Sequence, residues 1–158
     1  MNQSDFRDYL VFLRNLGATL DELTEVEKRK ENFVRADDLD GLNECMKREQ
    51  ALSLTLRSYD KKREALLLLL GLEDVPLRKL LDYAPAEYWE ETKSTVEQLF
   101  RRYAQYRGVF EVARDTLECN LHQVEKVLQA KDPDAAAQTG YQEAAPQLPT
   151  RLKTDFRA

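Results

Sequence analysis

The most regular stretch of the sequence is WEETKSTVEQLFRRYAQYRGVFEVARDTLECNLHQVEKV, residues 89–127. Alternate steps of three and four residues from its first position meet side chains that are apolar or nearly so: Trp89, Thr92, Val96, Leu99, Tyr103, Tyr106, Phe110, Ala113, Leu117, Asn120, Val124 and Val127. This spacing is typical of a helix that packs along one seam, as in a coiled coil or bundle. A helix over residues 86–130 would be about 65 to 70 Å long, so it needs neighbours to bury that seam.

A first, shorter helix is predicted upstream, over residues 6–34. Its apolar residues recur in steps of three or four and lie on one face: Phe6, Tyr9, Leu13, Leu16, Leu20, Leu23 and Val26. Ser4 is expected to cap its start. The sequence ADDLDGL, residues 36–42, interrupts the pattern and predicts a turn or a sharp kink.

A second helix is predicted over residues 39–70, with Asp37 or Asp38 as its N-cap. Gly71 suits the position that follows a helix. Pro76 is acceptable in the first turn of a short helix over residues 77–81.

The second helix ends in the leucine-rich sequence ALLLLLGL, residues 65–72. This run is far shorter than the roughly 20 apolar residues that a membrane-spanning helix needs. Because an isolated hairpin would expose Leu67, Leu68 or Leu69, the run predicts packing on two sides, against the third helix and against the short helix. The alternative is a surface kept apolar for a client.

Composition excludes several functional classes. The chain has 158 residues, a length typical of one domain, and 34% of them are charged. Its net charge of −5 argues against a general affinity for nucleic acid or anionic lipid. The N-terminus has no features of a secretory signal, so a cytoplasmic location and no membrane insertion are expected. Cys45 and Cys119 could form one disulfide, but reduced thiols are expected without export.

Candidates for catalytic or metal chemistry fail on inspection. His122, the one histidine, falls on the solvent side of the heptad series. A di-iron bundle would need two Glu-x-x-His motifs, which are missing. A calcium loop aligned on Gly41 would place Ala36 and Lys47 at ligand positions. The mixed sequence RRYAQYR, residues 101–107, places its tyrosines in the seam rather than on a nucleic-acid platform. We expect no catalytic residues, metal or cofactor, and no enzyme.

The predicted fold is all-α: an elongated antiparallel bundle of three long helices with coiled-coil-like packing and one short connecting helix. The bundle domain spans residues 1–130, and residues 131–158, rich in alanine and proline, are expected to form a flexible tail. Because the first two helices are shorter than the third, part of the third helix would stay uncovered. Asn120, at a seam position there, is either hydrated near the helix end or specifies register, within the bundle or against a partner.

Several of these segments resemble the FlgN family of flagellar type III secretion chaperones. The resemblance covers residues 6–142 and is carried by DDLDGLNECMKREQAL, YDKKREALLLLLGL, PLRKLL, NLHQVEKVLQ and TGYQ. It implies a cytoplasmic chaperone that binds unassembled hook–filament junction proteins, FlgK and FlgL, and delivers them to the flagellar export apparatus. It also implies that the C-terminal part makes the contact.

The expected partner-binding residues are therefore Leu117, Asn120, Leu121, Val124, Val127, Leu128 and the tail residue Tyr141. Five of them, Leu117, Leu121, Val124, Val127 and Leu128, form a broad apolar face of the third helix that could receive an amphipathic client helix. The competing hypothesis is a coiled-coil scaffold or adaptor that self-associates through the third helix. The oligomeric state stays open, with a homodimer as one alternative.

Overall fold

The computed structural model describes residues 1–131, and every regular element in that range is a helix. Helix α1 spans Gln3–Arg35, α2 spans Leu39–Leu70 and α3 spans Trp89–Lys131. Two 3-10 helices, Leu77–Tyr83 and Ala86–Tyr88, connect α2 to α3. The all-α fold class is confirmed, whereas the predicted tail lies outside the described residues.

Helix α1 lies at the centre of the bundle, because it packs closely against both α2 and α3. It runs antiparallel to α2, as shown by the contacts of Thr19 with Tyr59 and of Lys30 with Glu49. It runs parallel to α3: Arg14 pairs with Glu91 near the start, and Asn120 lies beside Val34 near the end. This double packing buries a wide face of α1, whose fully buried apolar and aromatic side chains are Phe6, Tyr9, Leu10, Phe12, Leu13, Leu16, Leu20 and Leu23.

The predicted seam of α3 is confirmed in its middle part. Leu99, Tyr106, Phe110 and Ala113 are each at most 2% exposed and close the core against α1. Trp89 was predicted as the first seam residue, and that prediction is wrong, since 39% of it is exposed. It lies at the junction between the last 3-10 turn and α3, where Lys93 covers its ring from 5.5 Å.

The boundaries of the first two helices follow local capping chemistry. Asn2, rather than the predicted Ser4, caps α1, because its side-chain oxygen accepts a hydrogen bond from the Ser4 backbone N–H at 3.1 Å. Asp38 caps α2 by accepting from the Gly41 N–H at 3.0 Å. Gly71 follows α2 with a φ of 66°, the left-handed conformation that favours glycine.

The leucine-rich end of α2 is only partly enclosed. Leu67 and Leu70 are buried, but Leu68 and Leu69 are 65% and 64% exposed, so the prediction that this run packs on two sides is wrong. The physical reason is the position of the 3-10 helix Leu77–Tyr83, which packs closely against α3 and leaves the outer face of α2 open.

Candidate partner-binding surface

Helix α3 continues well past the end of α1. The side-chain amide of Asn120 donates to the Val34 carbonyl at 3.2 Å, one residue before α1 ends at Arg35. Residues 121–131, which we name the α3 extension, continue for about 16 Å beyond that contact at 1.5 Å per residue. The seam that α1 covers therefore loses its neighbour at this point.

Exposure changes along the same helical face. Ala113 is 2% exposed, whereas Val124 and Val127 are 46% and 53% exposed. Leu117, Leu121 and Leu128 are partly buried. The structure thus brings six of the predicted partner-binding residues onto one end of one helix: Leu117, Asn120, Leu121, Val124, Val127 and Leu128. Tyr141, the seventh, lies outside the described residues.

Asn120 is engaged within the bundle. The Val34 carbonyl that accepts its amide also accepts the backbone N–H of Asp37 at 3.2 Å. A carbonyl in the last turn of a helix has no partner within that helix, so these two donors satisfy it. The contact fixes the register of α3 against the end of α1, which agrees with one of the two interpretations of Asn120.

Leu39 adds an apolar side chain at the same end of the bundle and is missing from the predicted residues. It opens α2 directly after the turn that follows α1, and 72% of it is exposed. Its signal in the sequence is an apolar residue immediately after an N-cap, where a solvent-facing helix start would normally carry a polar one.

A buried polar cluster in the middle of the bundle is the other candidate site. Lys30 from α1 contacts Glu49 of α2 at 2.9 Å and Glu27 of α1 at 3.6 Å. Burial, reinforced by Glu49, raises the pKa of Glu27 to about 9, so its carboxyl is protonated at neutral pH. Burial also raises the pKa of the Tyr106 hydroxyl, which faces this cluster from α3.

This cluster is closed to ligands. Glu27 and Lys30 are 0% and 2% exposed, so no substrate can reach the carboxyl or the amine. Neither oxygen of Glu27 has a hydrogen-bond partner within residues 1–131. We interpret the cluster as a structural feature that costs stability, not as a catalytic site.

Other candidate chemistry is absent from residues 1–131. No group of three His, Cys, Asp or Glu side chains there is placed to hold a metal ion. Cys45 is buried and Cys119 exposed, and both thiols are free. His122 is exposed, as its heptad position predicts. No helix in this range has the length and apolar character to cross a membrane.

Comparison with known protein families matches residues 8–148 to the family described as FlgN protein. No curated protein and no solved structure matches the chain.

Proposed function

Because the chain belongs to the FlgN family of flagellar export chaperones, we propose that it binds unassembled hook–filament junction proteins of the FlgK and FlgL type. The family match spans most of the chain and includes the whole of α3. In this proposal the contact is made by the exposed seam residues of α3. The chaperone prevents premature association of its clients in the cytoplasm and delivers them to the type III export apparatus.

The observation that supports this proposal is that the seam of α3 extends beyond the end of α1. Up to Asn120 the face is covered by α1, and beyond it Val124 and Val127 are about half exposed. A client helix placed in line with α1, beyond its end, would pack against the same apolar repeat of α3 that α1 packs against. This is the helix-in-groove mode of recognition. Burying partly exposed leucine and valine side chains would then drive association.

The scaffold alternative has less surface available. Self-association through the whole heptad series would need the face that carries Leu99, Tyr106 and Phe110, and these residues are buried against α1. Unless the bundle opens, a second copy could pair only through the ends of α3. A homodimer through those ends would compete with a client for the same residues.

The test compares two exposed valines on α3. Val124→Asp places a carboxylate in the proposed contact, whereas Val112→Asp places one at a position that is 50% exposed outside it. Binding of the C-terminal helical region of a FlgK-type protein is measured by isothermal titration calorimetry. We expect Val124→Asp to weaken binding at least tenfold and Val112→Asp to leave it within about twofold, since a buried unpaired charge is costly.

Circular dichroism and thermal unfolding accompany both variants, which should keep the helicity of the parent. The site assignment fails if Val124→Asp binds as tightly as the parent. It also fails if the two substitutions weaken binding equally, because the loss would then not depend on the proposed surface.

A further inference from the structure

The end of the bundle that carries the α3 extension is acidic. Residues 35–44 and 117–131 contain three cations, Arg35, Lys126 and Lys131, and six carboxylates: Asp37, Asp38, Asp40, Glu44, Glu118 and Glu125. These two segments therefore carry a net charge of −3, out of −5 for the whole chain. The excess of carboxylates comes from residues 35–44, which carry −3 by themselves.

The acidic turn lies against the base of the α3 extension. The Asp37 backbone N–H and the Asn120 side chain share the Val34 carbonyl as acceptor, each at 3.2 Å. Two donors on one oxygen cannot be far apart, so the turn at residues 36–38 is adjacent to the point where the extension begins. The side chains of Asp37 and Asp40 are exposed there.

The negative charge at this end is poorly neutralised within residues 1–131. Asp37, Asp40 and Glu125 form no ion pair in that range, whereas Glu44 pairs with Lys47 at 3.4 Å through two exposed side chains. Glu118 meets Arg114 only at 3.8 Å, and both side chains are exposed to solvent. An exposed pair of this kind contributes little.

We propose that the helix that docks on the α3 extension is amphipathic, about three turns long, and carries Lys or Arg residues beside its apolar stripe. The inference rests on the proposed function, since it takes the extension as the docking surface. The length follows from the 16 Å or so of seam beyond Asn120. An apolar stripe in steps of three and four residues matches Leu121, Val124 and Leu128.

The charge follows from complementarity with the acidic turn. Cations on the docking helix meet the exposed carboxylates of Asp37 and Asp40, and such pairing steers encounter and fixes register. A helix with the same stripe but acidic flanks is repelled. The surface therefore selects among helices of equal hydrophobicity.

The test uses two synthetic helical peptides with an identical apolar stripe, one flanked by lysines and the other by glutamates. Binding to the full chain is measured by fluorescence anisotropy at about 50 mM and about 300 mM salt, because screening shortens the reach of exposed charges. We expect the lysine peptide to bind at least tenfold more tightly than the glutamate peptide at low salt, with the difference shrinking severalfold at high salt.

Two double variants, each with two carboxylates neutralised, test which carboxylates attract the lysine peptide. Asp37→Asn with Asp40→Asn should weaken the lysine peptide three- to tenfold, while Glu73→Gln with Asp74→Asn, exposed at the other end of α2, should leave its affinity unchanged. Asn is suitable at position 37, whose φ is 54°, because it tolerates the left-handed conformation. Asp38 is kept because it caps α2.

Equal affinity for both peptides, or equal effects of the two double variants, would overturn the charge assignment. So would undiminished binding of the lysine peptide to Val124→Asp, because the peptide would then bind elsewhere. If a FlgK-type client binds through Val124 but is unaffected by Asp37→Asn with Asp40→Asn, this inference fails alone. If the lysine peptide binds as expected and the client does not bind, only the proposed function fails.

Discussion

Two parts of α3 share one sequence repeat and have opposite surroundings. Between Leu99 and Ala113 the repeat is buried against α1, and between Leu121 and Leu128 it continues beyond the end of α1. Periodicity therefore identifies the face that needs a partner, but it does not identify the partner. In the first part the partner is α1 of the same chain, and in the second we propose another protein.

The largest expected effect separates the two parts by stability. Phe110→Ala removes a ring that is 1% exposed and packs beside Tyr106, so the free energy of unfolding should fall by about 3–5 kcal/mol. Val124→Ala removes a half-exposed side chain and should change it by less than about 0.5 kcal/mol. Urea unfolding followed by circular dichroism measures both. Comparable losses in the two variants would mean that the extension is part of the folded core.

The sequence predicts most of the fold because its strongest signals are local. The limits of α2 are set by the N-cap Asp38 and by Gly71, and both can be recognised without knowing the neighbouring helices. The buried middle of α3 follows equally from the three-four spacing. These elements agree with the structure because propensity, capping and periodicity favour the same result.

Features that depend on how the helices are arranged could not be predicted in this way. Leu68 and Leu69 lie in a run of five leucines, yet they are exposed because the connecting 3-10 helix packs on α3 instead of α2. The buried cluster of Glu27 and Lys30 also gives no sequence signal, since charged residues are expected outside. In the candidate surface, the apolar face of α3 follows from the sequence repeat. The position of Leu39 at the same end of the bundle and the contact between Asn120 and Val34 could not be predicted, because they depend on how α1, the start of α2 and α3 are arranged.

The second prediction concerns the buried polar cluster of Glu27, Lys30 and Glu49. Folding keeps the Glu27 carboxyl protonated up to about pH 9, whereas the unfolded chain releases that proton above its ordinary value of 4.5. Between these values the folded state binds more protons, so this residue makes stability fall as pH rises, by up to about 1.4 kcal/mol per pH unit. Glu27→Gln, neutral and similar in shape, should therefore raise the free energy of unfolding at pH 8 by roughly 1–3 kcal/mol.

The measurement is urea unfolding between about pH 5.5 and 8.5. This window lies above the titration of Glu49, because the effects of Glu27 and of the charge of Lys30 outweigh burial and lower the pKa of its carboxyl. The gain from Glu27→Gln should shrink towards the acidic end of that window. Glu25→Gln, an exposed neighbour on α1, is the control and should show no such trend. A constant gain at every pH would contradict protonation of Glu27 in the folded chain.

The smallest expected effect lies at the boundary between the two parts. Asn120→Ala removes the amide donor to the Val34 carbonyl, which keeps the backbone N–H of Asp37 as a partner, so unfolding should become easier by only about 0.5–1.5 kcal/mol. Gln123→Ala, exposed three residues later, should have almost no effect on stability. Client binding is the second measurement for Asn120→Ala, because a register role within the bundle and a register role against a partner helix predict different results. If Asn120 sets the register of α3 against α1, stability falls while affinity for a FlgK-type client is nearly retained, because the apolar contacts of Val124 do not depend on the amide. If Asn120 instead specifies a partner helix, affinity for the FlgK-type client falls by more than the stability loss can explain. In that case the client-binding surface begins at Asn120, and not after it.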